Sequence, residues 1–267
     1  MSIQPIIETR DLTIGYRQKH SQTMVQTGLN LTVYPGEMIC LIGPNGCGKS
    51  TLLRSIGGLQ PLLSGDIRIN QIPIQEQTLS AKAKLISLVL TDKIEVSHLS
   101  IADLIAMGRN PYTDWLGKLN EQDKQLIDTA IRQVHLEGYE NRCLNELSDG
   151  ERQRALIAKA LTQDTPVILL DEPTAHLDLP NRVDIMLLLR KLAKDTGKAI
   201  LMSTHELDLA LQTSDRIWLM SPRQGGLQTG SPDELIKSNS IQNVFATHSF
   251  SFTGEGGSIH VNLDSNR

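Results

Sequence analysis

Gly43-Pro44-Asn45-Gly46-Cys47-Gly48-Lys49-Ser50-Thr51 lies between an apolar run, Met38 to Ile42, and a stretch with helical character, Leu52 to Ile56. Strand, glycine-rich loop, helix is the context in which the pattern G-x-x-x-x-G-K-S cradles phosphate. The glycines let successive backbone N–H groups turn toward one anion. A helix beginning near Ser50 adds the positive end of its dipole. In such a loop Lys49 reaches the β- and γ-phosphates, and Ser50 offers its hydroxyl to Mg²⁺. The competing reading is a bare tight turn before a helix. Such a string arises by chance about once in a hundred chains of this length, given glycine near 7% of residues, and correct flanks make it rarer.

The 267 residues can bury a sizeable core, as one large domain or two small lobes. The formal charge of -4 and a pI near 6.0 give no global basic field, so nucleic acid is not an expected partner. Cys40, Cys47 and Cys143 have no metal-ligand spacing and suit a thiol-reducing compartment better than a disulfide scaffold. The N-terminus shows no basic region followed by an apolar stretch, and there is no apolar run of about 18 residues. A cytosolic protein is expected, one that can still sit against a membrane protein.

Residues 3 to 42 read as strands, with short β-prone pieces at Ile6-Ile7, Leu12 to Ile14 and Leu29 to Val33, and a turn at Tyr34 to Glu37. Gly65 to Ile69 and Leu85 to Leu90 read as further strands. The middle changes period. Ser100 to Asp103 is a capping pattern opening a helix that ends at Gly108, and Leu126, Ile127, Ala130, Ile131 and Val134 recur at helical spacing. A helical insertion over roughly 92–162 follows. A parallel-sheet core then resumes with strands at Val167 to Leu170, Ala199 to Met202 and Ile217 to Met220, separated by helices over 181–194 and 207–211. Arg223 to Gly226 reads as a turn and Ser231 to Glu234 as a strong helix start. In the polar tail Val261 and Leu263 are placed in a small ribbon.

The strand from Val167 ends in Asp171-Glu172, at the carboxyl edge where open α/β sheets bind ligands. Asp171 can hold Mg²⁺ through water, and Glu172 can orient or deprotonate an attacking water. A plain surface strand end would leave the phosphate loop in the same chain unexplained. His205 follows another buried strand. It reads either as a γ-phosphate or water ligand or as a packed histidine beside a helix cap. Tyr16, after Gly15, is either structural or a ring on which adenine stacks. Ser148 with Glu151 forms a capping box. Gly150 beside that helix terminus leaves room for a phosphate to approach backbone N–H groups.

These motifs, in this order, resemble the ATP-binding subunits of ABC transporters over about residues 3–240. Residues 43 to 51 match the Walker A motif, 147 to 151 the signature motif and 167 to 172 Walker B. Ala175 to Asp178 matches the D-loop, His205 the switch histidine and Tyr16 the adenine-stacking aromatic. The resemblance implies an α/β fold: a P-loop NTPase core with a mainly parallel sheet, an N-terminal antiparallel β part and a helical insertion, with 241–267 as an extension. It implies a head-to-tail dimer of two copies holding two ATP molecules with Mg²⁺, each bound by one copy's Walker A and covered by the other's Ser148 and Gly150. Lys49, Glu172 and His205 become the catalytic residues, with Ser50 and Asp171 toward the metal.

Two positions depart from the family pattern. Glycine and glutamine usually stand where this chain has Asp149 and Glu151. An acid near phosphate costs energy unless a cation neutralises it, as Arg152 or Arg154 could, or unless Glu151 faces its own helix terminus. The family's glutamine after the strand ending at Leu90, which contacts Mg²⁺ and the water, is matched by Thr91, followed by Asp92. Threonine can bind a metal-bound water but is shorter.

Leu104 to Tyr112, and Asp171 to Leu179 with Asn181-Arg182, are similar to importers of iron-siderophores, haem and vitamin B12. That subclass implies membrane permease subunits, an extracytoplasmic substrate-binding protein and a location on the cytoplasmic face of the membrane. Tyr112 and Trp115 either line the permease groove or pack inside the helical lobe. Two rivals remain: a soluble ABC-type ATPase, and an ATP-binding clamp with weak hydrolysis.

Overall fold

The structure, a computed structural model, describes residues 4–17, 21–90, 98–221, 226–245, 250–252 and 259–261. Its organising element is a sheet of six strands. These are β4 (Met38–Ile42), β7 (Ile86–Val89), β8 (Val167–Asp171), β9 (Ala199–Ser203), β10 (Arg216–Met220) and β11 (Leu227–Gly230), in the order β11-β10-β4-β9-β8-β7. All neighbours are parallel except β11, which is antiparallel to β10.

Every residue of β4, β8 and β9 is buried, which explains their unbroken apolar sequence. Side chains alternate across the sheet. Met38, Cys40 and Ile42 enter one core, together with Ile168, Leu170, Ile200 and Met202. Ile39 and Leu41 enter the other, together with Val167, Leu169, Leu201 and Trp218.

That second core is closed by helix α1 (Lys49–Ile56), through Leu52, Leu53 and Ile56, and by an antiparallel sheet. The sheet contains β1 (Ile7–Arg17), β2 (Gln22–Leu29), β3 (Thr32–Val33), β5 (Ser64–Ile69) and β6 (Ile72–Pro73), in the order β2-β1-β5-β6 with β3 also on β1. Ile7 and the piece expected at Leu12 to Ile14 belong to one continuous strand, with Ile6 just before it. The strand expected from Leu29 to Val33 is instead broken at Asn30. There the Thr9 hydroxyl donates to Leu29 O and accepts from Leu31 N, both at 2.9 Å, replacing the ladder.

The first core extends into the helical lobe. Helix α2 (Leu79–Ala83) precedes β7, and the lobe is built from α3 (Ile101–Ala106), α4 (Glu121–Gln133) and α5 (Asp149–Thr162). Helix α3 stops at Ala106 and tightens into a 3₁₀ turn, Met107–Arg109, rather than running to Gly108. The reason is the approach to α5: a Cβ on Gly108 would stand 2.1 Å from Thr162 Oγ1 and 2.3 Å from Lys159 O. The next residue, Arg109, is buried. Its Nε donates to Asp123 Oδ1 at 2.7 Å and its Nη1 to Thr162 O at 2.8 Å, which locks the three helices together. The Tyr112 ring covers the Arg109 guanidinium at 4.0 Å with one face, yet the residue stays 39% exposed, and Trp115 is 91% exposed.

The first core also takes the buried faces of α6 (Leu179–Thr196), α7 (Leu207–Thr213), α8 (Pro232–Lys237) and α9 (Ser240–Phe245). Ser231 caps α8 reciprocally with Glu234, as its sequence requires, and Ile241 is buried in the first core. The tail forms a two-stranded ribbon, β12 (Phe250–Phe252) against β13 (Ile259–Val261), in which Val261 pairs with Phe250. Leu263, residues 223–225 of the expected turn, and Thr91 and Asp92 lie outside the described residues.

Candidate active site

The loop after β4 is shaped by close contacts. A Cβ on Gly43 would come within 2.4 Å of Met220 O, and one on Gly48 within 2.2 Å of Val25 Cγ1, where φ is also 108°. Glycine is therefore required at both positions by space as well as conformation. Asn45 and Gly46 form the exposed tip, while Cys47 and Lys49 face inward. Burial pushes the Cys47 thiol up, against the opposing pull of Lys49. A neutral thiol thus packs beneath the loop. Lys49 is 6% exposed, and its Nζ donates to Gly43 O at 2.8 Å and Pro44 O at 3.3 Å. No carboxylate among the described residues pairs with it. A buried ammonium held only by carbonyls, beside the amino end of α1, is a cup for an anion.

The carboxyl ends of β4, β9 and β8 lie side by side, and this register brings the second group of residues to the loop. Ser50 Oγ donates to Asp171 Oδ1 at 3.0 Å, and Ser203 Oγ donates to the same oxygen at 2.6 Å. Ser203 also accepts from Glu172 N at 2.9 Å. Glu172 turns the chain out of β8 with φ of 48°, an uncommon conformation for a residue with a side chain. Its Oε1 lies 2.5 Å from His205 Nε2. Tyr16 is 51% exposed, and its hydroxyl lies 2.8 Å from Thr51 Oγ1, which fixes the ring beside the start of α1.

Ser148 and Gly150 stand elsewhere. No hydrogen bond joins them to the 43–51 loop among the described residues. Ser148 caps α5. Its Oγ accepts from Glu151 N at 3.2 Å, and both its N–H and O–H donate to Glu151 Oε2 at 2.8 Å. Glu151 therefore faces its own helix terminus. Its carboxyl is held below the usual range, first by the Ser148 backbone N–H and then by the Ser148 hydroxyl. A Cβ on Gly150 would sit 2.6 Å from Asn181 Oδ1, so this glycine lets the first turn of α6 close on α5. Asp178 caps α6, accepting from Asn181 N at 3.1 Å and Nδ2 at 2.6 Å.

Sequence reasoning missed the role of Ser203. A hydroxyl ending an otherwise apolar strand, in register with Asp171, is the signal that marks it. It also missed the bond that Arg182 Nη1 donates to Glu206 Oε1 at 2.7 Å, which has no local signature.

The sequence profile of ABC transporters matches residues 26–175. The chain belongs to the ABC transporter family. Among its relatives are the petrobactin import ATP-binding protein FpuC of Bacillus anthracis, 38% identical over 88% of this chain and 86% of the relative. The achromobactin transport ATP-binding protein CbrD of Dickeya dadantii is 37% identical over 90% of this chain and 87% of its own length. A dimeric structure of MJ0796, a bacterial ABC transporter cassette, superposes with a TM-score of 0.72 at 25% identity, covering 85% of this chain and 98% of that one. Membership of the ABC family makes the chain an ATPase whose hydrolysis is coupled to transport, built on the P-loop NTPase fold with a helical subdomain.

The residues present suit Mg²⁺-ATP. Mg²⁺ in nucleotide sites takes one or two carboxylates and completes its shell with phosphate and water. No cluster of three His, Cys, Asp or Glu occurs among the described residues, and the carboxylate that the loop hydroxyl of Ser50 meets, at 3.0 Å, is Asp171.

Proposed function

We propose that this chain is the ATP-hydrolysing subunit of an importer for ferric siderophores or related metal chelates, working as a head-to-tail pair on the cytoplasmic face of a membrane. The observation that carries the catalytic reading is the hydrogen bond from Ser50 to Asp171, which puts the phosphate loop and the Asp171-Glu172 acids in one site. Lys49, with the backbone of residues 43–51, would bind the β- and γ-phosphates. Ser50 and Asp171 would hold Mg²⁺, with Thr91 as a further neighbour; the metal, when bound, offsets phosphate charge. Glu172 orients and polarises the water, His205 supports the γ-phosphate, and Tyr16 stacks on adenine.

Ser148 and Gly150 serve the nucleotide of the second copy. Support comes from the lack, among the described residues, of a hydrogen bond joining them to this chain's own loop, and from the dimeric cassette to which the fold is similar. Residues 3–240 make up the ATPase unit, with 92–162 as its helical lobe, and the extension from 241 is anchored by buried Ile241. No helix among the described residues is long and apolar enough to cross a membrane, so a separate permease would supply the path. Exposed Trp115 and Leu116 are the side chains offered to it. An extracytoplasmic binding protein would deliver cargo, and the siderophore class follows from the named relatives.

The test is co-purification with the permease and ATPase measurement in liposomes. Ferric siderophores with their binding protein are expected to stimulate turnover. Stimulation by haem or cobalamin alone would reassign the cargo. Failure of all three would remove the importer reading.

A further inference from the structure

Glu172 and His205 stand on different loops, and their 2.5 Å separation requires those loops to be held together. The Glu172 loop is a run of turns, with Ala175 N bonded to Glu172 O at 3.0 Å and Leu177 N to Thr174 O at 3.3 Å. Its far end therefore moves with its start. His205 lies between β9 and α7, directly before Glu206.

One side chain reaches both loops. Arg182, in the first turn of α6, donates from Nε to Leu177 O at 2.7 Å and from Nη1 to Glu206 Oε1 at 2.7 Å. A guanidinium presents these two donors in fixed, divergent directions, so the contact fixes angle as well as distance. The pair is about one-third exposed, where an isolated ion pair adds little stability. Its geometry is therefore worth more than its energy. The root of Arg182 is itself fixed, because Asp178 caps α6 and Asn181 lies against Gly150.

We infer that Arg182 is a positioning residue for hydrolysis. By tying the Leu177 carbonyl to Glu206 it sets the spacing of Glu172 and His205, and with it the direction in which the carboxylate meets the attacking water. The inference rests on the roles given above to Glu172 and His205.

The test is steady-state ATP hydrolysis by the full chain with its permease, for Arg182→Gln, Arg182→Lys, Glu206→Gln and the double Arg182→Gln/Glu206→Gln. Misplaced reacting groups cost rate rather than affinity, so each glutamine variant should lose about ten-fold or more in kcat with KM for ATP within about two-fold. Lysine, keeping the charge but not the fork, should recover part of the loss. The double variant should be no worse than the poorer single, because both break one bridge. An unchanged kcat, a matching rise in KM, or losses that multiply in the double variant would overturn the proposal. Should Arg182→Gln fail to fold, Glu206→Gln carries the same test. Glu172→Gln, assayed alongside, separates the two readings. Retained turnover there removes the role of Glu172 itself. Lost turnover there, with kcat intact in Arg182→Gln, removes the role of Arg182 alone.

Discussion

The hydroxyl of Ser50 donates to Asp171 Oδ1 at 3.0 Å, joining residues 121 apart in the chain. The contact is a product of strand order. β4 and β8 flank β9 in a parallel sheet, so the loop after Ile42, the end of β9 at Ser203 and the acid at Asp171 share one edge. Three hydrogen-bonding groups at that edge then fix each other, as electrostatic preorganisation requires.

Lys49→Met keeps the length of the side chain and removes its charge. The bonds to Gly43 O and Pro44 O are lost, but the fold, set by glycine contacts and the two cores, should persist. Hydrogen bonds to charged groups are worth about 1.5–3 kcal/mol, or roughly ten- to a hundred-fold in Kd. Calorimetric ATP titration should show that loss, with circular dichroism unchanged. Equal affinity in the variant would mean the ammonium does not meet phosphate.

Ser203→Ala removes a buried hydroxyl that serves Asp171 and Glu172 at once. Leaving the Glu172 N–H without that acceptor should cost about 1–3 kcal/mol, read as a lower urea midpoint at constant m. Turnover should fall by about ten-fold while KM for ATP moves little, because the phosphate loop is untouched. A variant with parental kcat would show that Ser203 only fills space.

The buried pair of Arg109 and Asp123 makes the helical lobe acid-sensitive. The Asp123 carboxyl is held below the usual range, first by the Asn120 backbone N–H, with Arg109 adding to it. A depressed folded value means the stabilisation is present above the unfolded value, near about 3.9, and is lost as pH falls through the folded one. Asp123→Ala leaves Arg109 buried without its partner and should cost roughly 3 kcal/mol at neutral pH. In Asp123→Asn the advantage of the parent protein should shrink as pH drops from about 5 to 3, followed by urea unfolding at each pH. A constant difference across that range would show that the carboxylate charge is not what holds the lobe.

What was legible in the chain follows from locality. β4, β8 and β9 are buried on both faces, so their apolar runs are unbroken, and the caps at Ser100, Ser148 and Ser231 carry their partners three residues on. The break at Asn30 was not legible, because the Thr9 hydroxyl that replaces the ladder there lies about 20 residues upstream. Arg109 follows the helix expected to end at Gly108 and carries no local sign of its partners, because Asp123 and Thr162 are distant in sequence. In the site, the phosphate loop and the acids could be read as separate motifs. Their meeting through Ser203, and the cross-tie at Arg182, depend on which strands are neighbours.

The most direct measurement concerns Glu172. Replacing it with glutamine keeps size and hydrogen bonding but removes the carboxylate that would act on water, a contribution of about 10²- to 10⁴-fold in general base catalysis. Single-turnover hydrolysis of ATP by Glu172→Gln, with size-exclusion chromatography on the same sample, is predicted to show turnover falling by at least about a hundred-fold while a two-copy, ATP-loaded complex accumulates. Parental turnover in that variant would contradict the account.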